Sequence, residues 1–279
     1  MIRQRTVKES VEIKGIGLQT GRPVTLGVKS SSADSGINFI RVDLPNKPLL
    51  NIQSLDLGRL DGKIERRTTL DSGPLQIHTV EHLLAALSGL SIDNIVIEVD
   101  NIELPGLDGS AKGFVEMLKR SGIIEQDASK KVLKIEKAVW CEEDNAHLAV
   151  FPNDDFKVSY ALSYEAPGLG SQFFSITLDE ASFEREIAPA RTFCLESEAR
   201  ELLKRGLGKG ADYTNTLVIG KDGPIKTALR FPDEPVRHKI LDLIGDLYLV
   251  GMPIKGHVIA IKSGHRLNLE LVRKLKELI

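Results

Sequence analysis

Apolar and polar positions alternate over the first thirty residues, in "TVKESVEIKGIGLQTG" and "RPVTLGVKS". A period of two belongs to strands, and the glycines fall where a turn wants positive φ, so a sheet begins here. Residues 30 to 72 are polar and turn-rich. "PLQIHTV" then reads as extended, "EHLLAALSGL" as helical and "DNIVIEVD" as a β-branched strand. "SAKGFVEMLKRSGI" predicts a second helix with Ser110 as its N-cap. "QDASKK", residues 126 to 131, is polar without apolar periodicity and reads as a linker.

The order then repeats. "KVLKIEKAVWCE", "HLAVFP" and "FKVSYALSY" read as strands, "PVRHKILDLIGDLYLVG" as a helix, "GHVIAIKS" as a strand and "LNLELVRKLKELI" as a last helix. Strands followed by helices, twice over, predict an α+β fold of two domains, residues 1–127 and 128–279. Residues 187 to 222 interrupt the second with a strand-like "ARTFC", a helical "ESEARELLKRG" and a strand-like "NTLVIG", a small βαβ insertion. The likeness between halves is one of pattern order, with no short-period repeat.

A chain of 279 residues exceeds what one compact core usually serves, which agrees with two domains. With 42% apolar and 27% charged residues, neither disorder nor a fibrous structure is indicated. The formal charge is -2 and no long basic run occurs, so nucleic acid is not an expected partner. Cys141 and Cys194 are too few for a disulfide framework and fit a reducing cytoplasm. "MIRQRTVKES" lacks a following apolar stretch and no run is long enough to span a bilayer, so the reading is a soluble protein without stable membrane insertion.

The most conspicuous chemistry is "HTVEH", residues 78 to 82, whose H-x-x-E-H spacing matches the inverzincin pattern. Two ligands four residues apart share a face only on a helix. "LQIH" alternates after Gly73 and Pro74, whereas helical character starts at Val80 with Thr79 placed to cap. His78 therefore ends a strand, and Glu81 and His82 occupy the first helical turn. His82 alone is left as a ligand, against the plainer reading of an ordinary strand-to-helix turn.

In "PVRHKILDLIGD" Pro235 suits the first helical position, and His238, Asp242 and Asp246 recur every four residues opposite Ile240, Leu241, Ile244 and Leu247. A solvated helix face is one reading of that stripe. Combined with His82, it supplies two imidazoles and one carboxylate with a fourth position open, the arrangement of catalytic zinc. "KSGH", Lys262 to His265, ends a strand in a glycine turn that presents a histidine; His147 and His257 lie in strand-like runs and receive no role. "GLGKG", residues 206 to 210, lacks P-loop spacing and reads as a helix C-cap and turn. "GIGLQTG" fails the dinucleotide fingerprint because strands surround it.

Taken together, "TVEHLLAAL", "LDGSAKGF", "ARTFC", "PVRHKILDLIGDL" and "KSGH" resemble the zinc-dependent UDP-3-O-acyl-N-acetylglucosamine deacetylase family of lipid A biosynthesis, in order from about residue 3 to the end. The resemblance implies two domains, each a β-sheet layered on a pair of helices, with the site between them. It implies Zn2+ (Fe2+ would also suit) on His82, His238 and Asp242, with no ligand slot for His78. By the same likeness Glu81 is the general base, His265 the general acid or oxyanion-stabilising cation, and Asp246 the carboxylate orienting it. Thr192 and Lys239 would line the reacting centre, and Phe193 with the insertion would contain the acyl chain. Tyr164, Lys239 and Lys262 would lie towards the substrate's nucleotide, and Gly264 would contact the substrate. The implied enzyme is a cytoplasmic monomer that releases acetate from an acylated UDP-sugar. One departure is "GLQTG" where the family has a histidine: Gln19 can hydrogen-bond to substrate but carries no charge. Two rival readings are a zinc amidohydrolase acting on another acylated sugar nucleotide, and a non-catalytic RNA-binding protein built from related α+β layers.

Overall fold

A computed structural model describes residues 2–56, 66–73 and 75–279; residues 57–65 of the turn-rich run, and Pro74, lie outside the described residues. The alternating stretches become sheet. The first half contains β1 (Arg3–Val7), β2 (Val11–Ile16), β3 (Pro23–Ser30), β4 (Ile37–Arg41), β5 (Leu49–Asn51), β6 (Thr69–Asp71), β7 (Gln76–His78), α1 (Glu81–Gly89), β8 (Ile95–Val99), α2 (Lys112–Arg120) and β9 (Ile123–Ser129). Five strands form one sheet in the order β2-β3-β8-β4-β5, antiparallel except where β4 lies parallel to β8. Val24, Leu26 and Val28 of β3 and Ile95, Ile97 and Val99 of β8 are buried, as period-two alternation requires of a sheet with one covered face.

Several expectations for this half change. The polar run holds strands β4, β5 and β6, because Ile37 and Phe39 pair with Ile95 and Ile97, a contact with a distant strand that no local pattern announces. Residues 126–129 belong to β9, which pairs antiparallel with β1, and so are not a bare linker. The second helix begins at Lys112 with Ala111 at the cap position, although Ser110 Oγ still accepts the Lys112 N–H at 3.2 Å.

The second half contains β10 (Leu133–Lys134), β11 (Val139–Glu143), β12 (Ala146–Phe151), β13 (Phe156–Ser163), β14 (Ser171–Thr177), α3 (Glu180–Ser182), β15 (Phe193–Leu195), α4 (Glu196–Lys204), β16 (Leu217–Gly220), β17 (Gly223–Pro224), α5 (Glu234–Leu247), β18 (Ile254–Ile261) and α6 (His265–Lys276). Its main sheet runs β11-β12-β18-β13-β14, with β13 parallel to β18. In each half, four strands come first and a later strand, reached through a helix, enters between the second and third. The fold is thus α+β with one topology used twice, a closer kinship than pattern order alone conveyed. β14 was not legible in the sequence.

The insertion is a βαβ unit as predicted: β15 and β16 are parallel around α4, with β17 added antiparallel. "GLGKG" closes α4, where Gly206 takes φ 77 and the Leu207 N–H reaches the Leu202 carbonyl at 2.9 Å, the hydrogen bond of a Schellman cap.

Helix α1 is apolar nearly all round, with Leu83, Leu84, Ala85, Ala86 and Leu87 fully buried, which suits a helix enclosed on every side. It packs along α5. At their crossing sits Gly245, where any Cβ would collide with the Glu81 carbonyl oxygen. Among the described residues no helix is long and apolar enough to cross a membrane.

Candidate active site

The chain turns from β7 into α1 at Thr79, whose φ of 59 is rare for a β-branched residue. Thr79 does not cap the helix as expected. Its hydroxyl donates to the buried Glu103 carboxylate at 2.9 Å, which helps to hold the turn, and Val80 occupies the cap position. The consequence is a helix whose first residues, Glu81 and His82, are both buried against α5.

On α5, His238, Asp242 and Asp246 are buried too, at 2%, 4% and 0% exposure, so the stripe is not a solvated face. His82 Nε2 lies 3.7 Å and His238 Nε2 3.3 Å from Asp242 Oδ1, and the three ligand atoms fall within 4.8 Å of one another. Zinc bonds of roughly 2.0–2.1 Å in a tetrahedron put neighbouring ligand atoms about 3.3 Å apart. The spacing suits such an ion.

The donor atoms are also in the right state. Burial, then the neighbouring His238, pushes His82 down to about 3; burial lowers His238 as well. Both rings are then neutral at pH 7 and keep a lone pair for a metal. Nδ1 of His238 meets the Ala190 carbonyl at 3.0 Å, which assigns the proton to Nδ1 and leaves Nε2 free. Burial alone would raise Asp242, but Lys239 and the histidines outweigh it and hold the carboxyl well below its usual range. Lys239 Nζ donates to Asp242 Oδ2 at 2.8 Å. With Oδ2 thus engaged, Oδ1 faces the two imidazoles.

Beside this cluster, burial pushes Glu81 up to about 8, with His265 opposing and Asp242 and Asp246 adding to the rise. For His265 burial acts downward, yet Asp246, 2.8 Å from Nδ1, more than offsets it and lifts the ring to about 9. His265 opens α6. The turn before it differs from expectation: Lys262 takes the left-handed conformation at φ 54, whereas Gly264 is extended. The final helix accordingly starts two residues earlier than Leu267.

Glu81, His82, His238, Asp242 and His265 line one pocket of about 320 Å³ together with Thr192, Phe193 and Gln19. Its far wall is the insertion, through Ala199, Leu202, Leu203 and Val218. Phe193 stands edge-on to the rings of His238 and Tyr164, with centroids 6.5 Å and 6.0 Å away. Gln19 Oε1 accepts the Gly208 N–H at 3.0 Å, tying the N-terminal turn to the loop after α4. Tyr164, Lys239, Lys262 and Gly264 are not part of this lining, and Lys262 is exposed. His78 stays in β7 with Nδ1 3.0 Å from Thr69 Oγ1, apart from the cluster.

Four neighbours escaped the sequence reading. Thr68 and Asn268 hydrogen-bond Asp246. Glu103 holds Thr79 and the backbone N–H groups of Gln19 and Thr20. Arg191, buried against Glu234, fixes the segment before β15 whose Ala190 carbonyl orients His238. All four act across long sequence separations; only the His-x-x-x-Asp spacing of His238 and Asp242 leaves a local trace.

Comparison with known proteins bears on the whole chain. Residues 4–277 match the family model described as LpxC, UDP-3-O-acyl N-acetylglycosamine deacetylase. A UDP-3-O-acyl-N-acetylglucosamine deacetylase of Chlamydia felis is 42% identical over 278 residues, covering 98% of this chain and 97% of the relative. Relatives with the same name from Trichormus variabilis, at 38% identity with 98% of each chain covered, and Thermodesulfovibrio yellowstonii, at 40% with 98% and 92% covered, match similarly.

Proposed function

This chain belongs to the UDP-3-O-acyl N-acetylglycosamine deacetylase family and is a deacetylase of lipid A biosynthesis, and from that premise we propose that it is zinc-dependent and works through Glu81 and His265. The observation that supports this most is the convergence of two neutral imidazoles and one carboxylate beside a buried acid–base pair. Fe2+ suits the same donors.

When bound there, zinc supplies a Lewis acid that acidifies water and polarises a carbonyl. Glu81, next in sequence to ligand His82, accepts the proton of the water that attacks the acetyl carbon. The Thr192 hydroxyl donates to the oxyanion, a contribution worth about 100- to 1,000-fold in rate for one well-placed donor. His265, kept protonated by Asp246, stabilises the same charge and then delivers its proton to the departing sugar nitrogen, so that acetate leaves. Lys239 holds the Asp242 carboxylate in its ligating orientation.

The acyl chain lies along Phe193 and the apolar wall of the insertion, while Gln19 fixes that wall from the other half. Tyr164, Lys262 and Gly264 sit outside this pocket; Tyr164 and Lys262 are assigned to the nucleotide end of the substrate and Gly264 to a further substrate contact. The domains divide at the end of β9, close to residue 127, and the enzyme is a cytoplasmic monomer with two buried, free cysteines. The experiment is acetate release from the 3-O-acylated UDP-sugar before and after chelation. Activity should vanish on chelation and return with Zn2+; full activity after exhaustive chelation would contradict the zinc assignment.

A further inference from the structure

Thr68 precedes β6 and is fully buried, and its polar groups reach both halves of the molecule. The N–H donates to Glu81 Oε2 at 3.0 Å. The carbonyl accepts the N–H groups of Thr79 at 2.9 Å and Val80 at 3.4 Å, the residues that lead into α1. The hydroxyl donates to Asp246 Oδ1 and lies 3.1 Å from His265 Nδ1. A single side chain and its own peptide groups therefore touch the base, the start of the base's helix, and the ion pair carrying the acid.

A hydroxyl has one proton to give, and here it goes to Asp246. The other oxygen of that carboxylate receives His265 Nδ1 and Asn268 Nδ2, each at 2.8 Å. With both oxygens engaged the carboxylate plane is fixed, and with it the tilt of the His265 ring, whose Nε2 stands 3.9 Å from Asp242 Oδ2. Small errors in such orientation are costly for rate.

We propose that Thr68 is a positioning residue for deacetylation: its hydroxyl aligns the Asp246–His265 pair in one half while its amide holds the Glu81 carboxylate in the other. The proposal rests on the roles given above to Glu81 and His265.

The test uses the full-length, zinc-loaded enzyme. Thr68→Val keeps the backbone contacts and the shape but removes the hydroxyl; Thr68→Ser keeps the hydroxyl. Thr68→Val should lower kcat about 10- to 100-fold, the usual consequence of deleting a hydrogen bond to a charged group, with KM and zinc content within about twofold of wild type. Thr68→Ser should stay within about threefold in kcat. On an Asp246→Ala background the Val change should cost little more, because its route is already cut. Wild-type kcat in Thr68→Val, equal losses in Val and Ser, loss of zinc from Thr68→Val, or its full penalty recurring on the Asp246→Ala background would each overturn the proposal. Wild-type turnover in Asp246→Ala alone would instead overturn the acid pair beneath it, and Thr68's role with it.

Discussion

Glu81 and His265 share one buried pocket, and their surroundings drive both upward, to about 8 and about 9. A bound dication lowers both, since it favours the charged carboxylate and disfavours the charged ring. The order of roles gives the signs: turnover rises with pH as Glu81 loses its proton and falls as His265 loses its own, a bell whose two limbs belong to the coupled pair. Glu81→Ala should keep its zinc and lose most turnover, at least about 100-fold, as steady-state kinetics with metal analysis would reveal; near wild-type rate would remove Glu81 from the base role. His78→Ala should leave zinc content unchanged, because His78 bonds Thr69 instead. A halved zinc content would revive the inverzincin reading. At this scale the sequence was most informative where chemistry sits at helical spacing, as for His238 and Asp242. Thr68, Glu103, Asn268 and Ala190 were illegible because their contacts depend on how distant segments pack.

Helix α5 illustrates why the same stripe admits two readings. Polar residues every four positions usually face water, yet here the stripe faces α1, whose first turn brings His82 and Glu81 to it. Only the approach of the two helices decides the matter, and Gly245 permits that approach. Gly245→Ala should force α1 and α5 apart, costing about 1–3 kcal/mol as overpacking does and weakening zinc binding; calorimetry with a competitive chelator would check it, and unchanged melting with unchanged affinity would contradict it. The turn carrying Gln19 is the second element whose role emerged from packing. Its side chain braces the loop after α4 and its backbone rests on Glu103. Gln19→His should therefore alter KM modestly, by roughly two- to fivefold, with little effect on kcat; a large fall in kcat would count against this placement. Strand β4 went unread for a related reason, since it is completed by β8 from beyond α1; β14, the hairpin partner of β13, has no fully buried residue.

In the whole molecule, His82 comes from the first half and His238 and Asp242 from the second, so a metal ion at this point ties together two units of one topology. The order of strands and helices foretold the two units and the insertion; the supposed linker failed because a polar segment can still form a strand, as β9 does by pairing with the largely buried β1. A ligand held by both units stabilises both. With free zinc about 1,000-fold above its dissociation constant, binding adds about 4 kcal/mol, so chelation should lower Tm by roughly 10 °C. A melting curve indifferent to chelation would argue against a shared ion. The most direct measurement is an anomalous difference map at the zinc absorption edge from crystals of the zinc-loaded protein. A single peak about 2.0–2.2 Å from His82 Nε2, His238 Nε2 and an Asp242 carboxylate oxygen is the expected result. No peak among those atoms, or one ligated by His78, would contradict it.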